Sequence, residues 1–78
     1  MNIGHYNHPL AKNIATIIRE RGVKQYIVAK KAGFEAQEFS DMLNGRKVIK
    51  ACDIPTIASA LGLTPNDLYH PRDPNRAN

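Results

Sequence analysis

The sequence predicts an all-α fold, a compact bundle of five short helices, and three observations lead to this prediction. Apolar residues recur at intervals of three and four along most of the chain, which is typical of helices that bury one face. Four of the five glycines, at positions 22, 33, 45 and 62, each follow such a stretch, where a helix commonly ends. No stretch shows the strict alternation of apolar and polar residues that indicates a strand.

Length and composition indicate one small domain. A chain of 78 residues buries only a modest core, which favours local packing of helices over a large sheet. No apolar run approaches the roughly 20 residues of a membrane span, and no signal segment follows Met1. The single cysteine, Cys52, has no partner for an internal disulfide, which agrees with a reducing compartment. We therefore expect a cytoplasmic protein without a membrane partner.

The first helix is expected from Pro9 to Arg21, because its apolar residues form one stripe and Gly22 follows it. This stripe consists of Leu10, Ile14, Ile17 and Ile18. Residues 1–8 show no apolar period, and we expect them to form a flexible N-terminal arm. The predicted domain then spans residues 9–70, and residues 71–78, with two prolines and no large apolar residue, are expected to be disordered.

The second and third helices, over about residues 24–32 and 36–44, are predicted to form the centre of the domain. Gly33 lies between them, and a short turn at this glycine lets two helices cross at a steep angle. Ala29 is small enough for a close approach of the third helix. Residues 24–45 therefore show a helix-turn-helix pattern.

The third helix is predicted to have one packed and one free face. On a helical wheel Phe39, Met42 and Leu43 lie together, whereas Gln37, Asp41 and Asn44 lie on the opposite side. Amides and small polar groups on an exposed helix have the chemistry to contact base edges in a DNA major groove.

Two further helices complete the bundle. The fourth is expected from about Cys52 to Leu61, with Pro55 in its first turn, because a proline deeper in the helix would break its hydrogen bonds. The fifth is expected after Thr64, since a threonine, a proline and then Asp67 are typical of a helix start. We expect it to bury Leu68, with Tyr69 as a second candidate.

The charge of the chain permits binding to phosphate. Eleven Lys and Arg against seven Asp and Glu give a net charge of +4 and a pI of about 9.5. Six of the basic residues flank the central pair of helices: Lys24, Lys30, Lys31, Arg46, Lys47 and Lys50. Lysines often form only a solvated surface, but their position around a two-helix unit favours nucleic acid as the partner.

The central segment resembles the helix-turn-helix of lambda-repressor-like (Xre-type, Cro/CI-type) regulators of bacteria and phages. The residues that carry the resemblance are Gln25, Val28, Ala29, Ala32, Gly33, Phe39, Met42, Asn44 and Gly45. It extends to the segment ASALGLTPNDLY and covers roughly residues 8–70. The resemblance implies a lambda-repressor-like fold and a sequence-specific transcriptional regulator, of repressor type and of bacterial, phage or mobile-element origin. Its expected partners are double-stranded DNA, read in the major groove by the third helix, and a second copy in a homodimer.

The resemblance also implies which residues contact DNA. Base contacts are expected from Ala36, Gln37, Ser40 and Asp41. Phosphate contacts are expected from Lys24, Gln25, Lys30, Asn44, Arg46 and Lys47. Gln37 is the main candidate for base readout, because a glutamine amide can pair with adenine through two hydrogen bonds, worth about 1–3 kcal/mol of discrimination.

Three acids, Glu35, Glu38 and Asp41, are an objection to DNA binding, because they repel phosphate from the helix that has to approach it. They support an alternative function, a protein-interaction module such as an anti-repressor or adaptor. An enzyme has the least support, since the chain has no Ser/His/Asp set and no phosphate loop. His5 and His8 are three residues apart but have no further ligand nearby. We therefore expect no catalytic residue, no metal and no small-molecule cofactor.

Overall fold

The structure, a computed structural model, describes the backbone of residues 3–70 and the side chains of residues 9–70. The helices in this part of the chain are α1 (Ile3–Arg21), α2 (Gln25–Ala32), α3 (Ala36–Leu43), α4 (Asp53–Ala60) and α5 (Pro65–Tyr69). There is no strand among these residues, so the predicted all-α bundle of five helices is confirmed. The predicted disordered tail, residues 71–78, lies outside the described residues.

The start of the first helix differs from the prediction. α1 begins at Ile3 and contains Pro9, so a helix boundary at Pro9 is wrong. Pro9 lacks the N–H that would bond to the carbonyl four residues earlier, and the helix passes it with this one bond missing. The sequence signal was ambiguous because a proline near a helix start does not reveal how many helical residues precede it. A flexible arm over residues 1–8, as a unit separate from the domain, stays a prediction.

All five helices contribute to one apolar core. α2 packs against α3 and α4, α5 packs against α1 and α4, and α1 also contacts α3. The largest fully buried side chains are Ile14, Phe39, Met42, Ile57 and Leu68. Burying a side chain of this size stabilises the fold by about 1.5–3 kcal/mol.

The ends of α4 and α5 follow the signals in the sequence. Pro55 is the third residue of α4, within its first turn, where a missing N–H costs nothing. At the start of α5, the backbone N–H and the hydroxyl of Thr64 each donate to Oδ2 of Asp67, at 2.9 Å. Leu68 is buried as predicted, but Tyr69, the second candidate, is 49% exposed. Tyr69 is the last residue of this short helix and directly follows Leu68, so its side chain points about 100° away from the buried one.

Two polar side chains of α1 bind it to the C-terminal half of the domain. The amide Nδ2 of Asn13 donates to the carbonyl of Leu68 at 3.0 Å and to that of Tyr69 at 3.3 Å. Nη1 of Arg21 donates to the carbonyl of Leu61 at 2.7 Å. These carbonyls lie in or directly after the last turns of α5 and α4, where the helix itself supplies no donor.

Candidate nucleic-acid interface

The turn between α2 and α3 is built on Gly33. This glycine has φ 85° and ψ 20°, a left-handed conformation that ends α2. The backbone N–H of Gly33 then donates to the carbonyl of Lys30 at 3.1 Å, and that of Phe34 to the carbonyl of Ala29 at 2.8 Å. Both bonds satisfy carbonyls at the end of α2, so the chain enters α3 in a fixed direction. This is the geometry of a helix-turn-helix.

Phe34 fixes the turn to α3, a role that the sequence analysis did not assign. Its ring stacks on that of Phe39, with the planes 5° from parallel and the centroids 5.9 Å apart. Phe39 is fully buried, whereas Phe34 is half-buried and packs against the core. An apolar residue directly after the turn glycine is the signal in the sequence that points to this contact.

α3 has the two faces that the sequence predicts. Phe39 and Met42 on the inner face are 0% exposed. Ala36 and Gln37, in the first turn, are exposed, and Asn44 at its end is exposed as well. The remaining two candidates for base or phosphate contact on this helix, Ser40 and Asp41, are half-buried. The structure therefore brings the predicted residues of α3 to one side of the helix.

Hydrogen bonds join these outer side chains in pairs. Nε2 of Gln37 donates to Oδ1 of Asp41 at 3.0 Å. Nδ2 of Asn44 donates to the carbonyl of Ser40 at 2.9 Å and to its Oγ at 3.3 Å. Both pairs are four residues apart, the spacing at which side chains on a helix are neighbours.

The loop after α3 folds back along the helix. Gly45 has φ 78°, and the next two backbone N–H groups, of Arg46 and Lys47, both donate to the carbonyl of Asp41, at 2.8 and 3.2 Å. This turn fixes the backbone of both basic residues beside the acidic side chains of α3. The left-handed glycine makes the reversal possible without a clash of Cβ with the backbone.

Each of the two basic residues forms an ion pair with an acid of α3. Nη1 of Arg46 lies 3.7 Å from Oδ1 of Asp41. Nζ of Lys47 donates a hydrogen bond to Oε2 of Glu38. This bond, formed with the charged carboxylate, lowers the pKa of Glu38, and the same bond raises the pKa of Lys47. Both groups are therefore charged at neutral pH.

The pairing removes much of the objection that the acids of α3 raise. Glu38 and Asp41 are each paired with a neighbouring base, so two of the three acidic side chains are not isolated negative charges. Glu35 precedes α3 as its N-cap residue, makes no side-chain capping bond, and has no ion pair in the described part of the chain. A carboxylate there lies at the positive end of the helix dipole.

The predicted phosphate contacts on α2 are exposed but do not form one cluster. Lys24 is the residue before α2, and Gln25 is its first residue. Lys30 lies five positions after Gln25, which corresponds to about 140° around the helix and roughly 8 Å along it. Lys24 and Gln25 therefore share a site at the start of α2, whereas Lys30 faces another side. Tyr26, in the same first turn, is 62% exposed and was not predicted to be part of the interface.

The described residues contain neither a cluster of metal ligands nor a membrane-spanning helix. No three His, Cys, Asp or Glu side chains are grouped there so that they could hold a metal ion. None of the helices in the described part of the chain has the length and apolarity needed to cross a membrane.

A packed helix α2, a tight turn and a helix α3 with one outward polar face define the class of helix-turn-helix domains. The family model for the Cro/C1-type helix-turn-helix DNA-binding domain matches residues 13–73. The chain belongs to this family, which confirms the resemblance seen in the sequence. No curated protein sequence is significantly similar to it.

Solved structures with the same fold include a restriction-modification controller protein and a gene regulator. The restriction-modification controller protein C.AhdI from Aeromonas hydrophila superposes with a TM-score of 0.72 at 18% identity, over 77% of this chain and 91% of that protein. The clp gene regulator ClgR from Corynebacterium glutamicum gives a TM-score of 0.73 at 20% identity, over 77% of this chain and 78% of the regulator. At these identities the likeness shows the fold. The family model identifies the domain as a DNA-binding one.

Proposed function

We propose that this chain is a sequence-specific DNA-binding transcriptional regulator that reads the major groove with α3. One observation carries the proposal: Gln37 is exposed on the outer face of α3, while Phe39 and Met42 on the opposite face are 0% exposed and anchor the helix in the core. A helix held in this way can present its outer side chains to base edges without a rearrangement of the core.

The roles of the side chains follow from their chemistry. Gln37 has the amide needed for a two-bond contact with adenine, and Asp41 can accept a hydrogen bond from cytosine N4. Ala36 offers only apolar contact, for example to a thymine methyl group, and Ser40 offers a hydroxyl. Arg46 supplies charge to the adjoining phosphates, which fixes the position of the domain without reading sequence.

Further phosphate contacts belong to both ends of the interface. Lys24 and Gln25 face outward at the start of α2, where backbone N–H groups also favour an anion. Asn44 and Lys47 lie directly after the C-terminal end of α3. Lys30 lies on another side of α2, so its contribution in this proposal is to the general attraction to DNA and not to a defined contact.

The active form that we propose is a homodimer. One recognition helix reads only a few base pairs, and two copies on half-sites about one helical turn apart, roughly 34 Å, double the sequence that is read. The part of the chain that the structure describes measures 35 × 30 × 20 Å, so two domains at this spacing lie close enough to touch. Repressor-type action is the part of the proposal that rests on the family resemblance: a dimer on a promoter blocks access to it.

Selection of bound duplexes from a random pool tests this function directly. We expect an enriched motif with two symmetric half-sites, because a homodimer presents the same helix twice. An adaptor that uses the acids of α3 to bind a protein would enrich no sequence and would show no steep dependence of retention on salt. That result would replace our proposal with the protein-interaction alternative.

The variant Gln37→Ala tests the reading helix. We expect it to weaken binding to the selected duplex by about ten- to a hundredfold, since a two-bond base contact contributes about 1–3 kcal/mol. Binding to a scrambled duplex should change little, as measured by fluorescence anisotropy.

The matched comparison is Lys47→Ala, which should weaken binding to both duplexes and lower the salt dependence by about one unit. Equal losses on both duplexes for Gln37→Ala would contradict a base contact by this residue.

A further inference from the structure

Lys47 is bound to α3 through both its backbone and its side chain. Its backbone N–H donates to the carbonyl of Asp41 at 3.2 Å, and its ammonium donates to Oε2 of Glu38, one turn earlier on α3. Lysine ordinarily has a flexible stem that lets its charge reach any nearby phosphate. Here the hydrogen bond to Glu38 restricts this freedom, while the Lys47 side chain is still 44% exposed and keeps two further N–H donors for a ligand.

We propose that Glu38 is a positioning residue for DNA recognition, which fixes the Lys47 ammonium beside α3 and thereby makes its phosphate contact dependent on the register of the helix in the groove. This inference rests on the proposed function. A free lysine strengthens binding to every sequence, because it adapts to whichever phosphate is near. A positioned lysine meets a phosphate best when the base contacts of α3 have set the docking position, so it contributes more to binding on the selected duplex than on other sequences.

The charge of Glu38 acts in the same direction. In a misplaced complex the carboxylate faces the DNA backbone and repels it, whereas in the intended register Lys47 lies between them. Like-charge contacts that occur only in wrong complexes are a common source of specificity. Glu38 therefore raises the ratio of specific to non-specific binding without a contact to a base.

The second ion pair of α3 does not carry the same inference. Nη1 of Arg46 is 3.7 Å from Oδ1 of Asp41, and the Arg46 side chain is 71% exposed, so it is held less firmly. Asp41 also accepts a hydrogen bond from Gln37, which means that a change at Asp41 would disturb a proposed base contact as well.

The test is a double-mutant cycle on Glu38 and Lys47, with binding measured on the selected duplex and on a scrambled duplex of the same composition. For Glu38→Gln we expect the ratio of the two dissociation constants to fall about three- to fivefold, mainly because binding to the scrambled duplex improves. In a Lys47→Met background the same substitution should leave the ratio unchanged. Glu20→Gln, which removes an equal charge from an exposed position on α1, is the control and should also leave it unchanged.

Other results would contradict either the positioning role of Glu38 or the proposed function itself. An unchanged ratio for Glu38→Gln, or an equal fall in the Lys47→Met background, would overturn the positioning role and leave the proposed function standing. Absence of sequence preference in the wild-type chain would overturn the proposed function and this role with it. Thermal unfolding followed by circular dichroism checks that all variants are folded at the temperature of the binding assay.

Discussion

Phe39 joins α3 to the core and is the largest fully buried side chain among the described residues. Its ring is 0% exposed and stacks on Phe34 from the preceding turn. We expect Phe39→Ala to lower the free energy of unfolding by about 3–5 kcal/mol, because it leaves a cavity as well as removing apolar contacts. Urea denaturation followed by circular dichroism measures this loss.

The control for Phe39 is Tyr26→Ala. Tyr26 is 62% exposed, so its removal should change stability by no more than about 0.5 kcal/mol. A loss below about 1 kcal/mol for Phe39→Ala would show that α3 is held by other contacts.

The ion pair between Glu38 and Lys47 makes a part of the stability depend on pH. The bond from Lys47 lowers the pKa of Glu38 in the folded protein, so the unfolded chain binds more protons at acidic pH. The stabilisation is therefore complete above the ordinary glutamate pKa of 4.5 and is lost as the pH falls through the lower pKa of the folded state. The raised pKa of Lys47 keeps its charge available throughout this range.

We expect wild type to be more stable than Glu38→Gln at pH 7 and to lose this difference in strongly acidic solution. Melting temperatures of the two proteins across the pH range measure the effect. In a Lys47→Met background the advantage of Glu38 should be absent at pH 7. A difference between wild type and Glu38→Gln that stays constant down to the most acidic pH would contradict this assignment.

Some of the side-chain geometry could be predicted from the sequence and some could not. The hydrogen bond between Gln37 and Asp41 follows from their spacing of four on one helix. The pair of Glu38 with Lys47 depends on how the chain reverses at Gly45, because the two residues are nine positions apart and only the loop brings them together. The acids of α3 are therefore an objection to DNA binding when the sequence alone is considered, whereas in the fold Glu38 and Asp41 are paired with bases.

At the scale of the elements, the angle between α2 and α3 depends on the left-handed conformation of Gly33. A Cβ at this position would meet no atom within 4 Å, so a substitution there is limited by the backbone alone. We expect Gly33→Ala to cost about 1–2 kcal/mol, because an L-residue with a side chain rarely adopts a φ of 85°. Gly33→Asn should cost less, since asparagine is enriched in this conformation.

Chemical denaturation of the two variants measures these costs and provides a comparison at one site. An alanine variant as stable as wild type, or an asparagine variant less stable than the alanine one, would show that the turn does not need this conformation.

Helix ends differ in how well their signals specify them. Gly33 ends α2, and Thr64 with Asp67 begins α5, because each signal acts through a bond or a backbone angle that only one position can provide. Pro9 does not fix the start of α1 in this way, because a helix tolerates the missing hydrogen bond of a proline in its first turn and also a little further along. For that reason the predicted start of α1 was wrong while the other helices began within one residue of their predicted positions.

At the scale of the whole molecule, hydrogen bonds from α1 hold the C-terminal ends of α4 and α5. Asn13 donates to the last carbonyls of α5, and Arg21 donates to the carbonyl of Leu61 after α4. We expect Asn13→Ala to lower the free energy of unfolding by about 1 kcal/mol and to speed amide hydrogen exchange in α5 more than in α3. Hydrogen exchange followed by mass spectrometry or NMR resolves the two helices.

The control for Asn13 is Lys12→Ala, the neighbouring exposed position on α1, which should leave exchange in α5 unchanged. Uniform acceleration across all helices for Asn13→Ala would indicate a global loss of stability and not a local release of α5.

The outward side chains of α3 are dispensable for folding. The core is formed without Ala36, Gln37 and Asn44, while Phe39 and Met42 secure the same helix from beneath. Replacements on the exposed side therefore alter what the domain touches and leave its capacity to fold intact. Under the proposed function, a lineage that starts from this chain can change the DNA sequence it binds one codon at a time, with every intermediate still a folded protein.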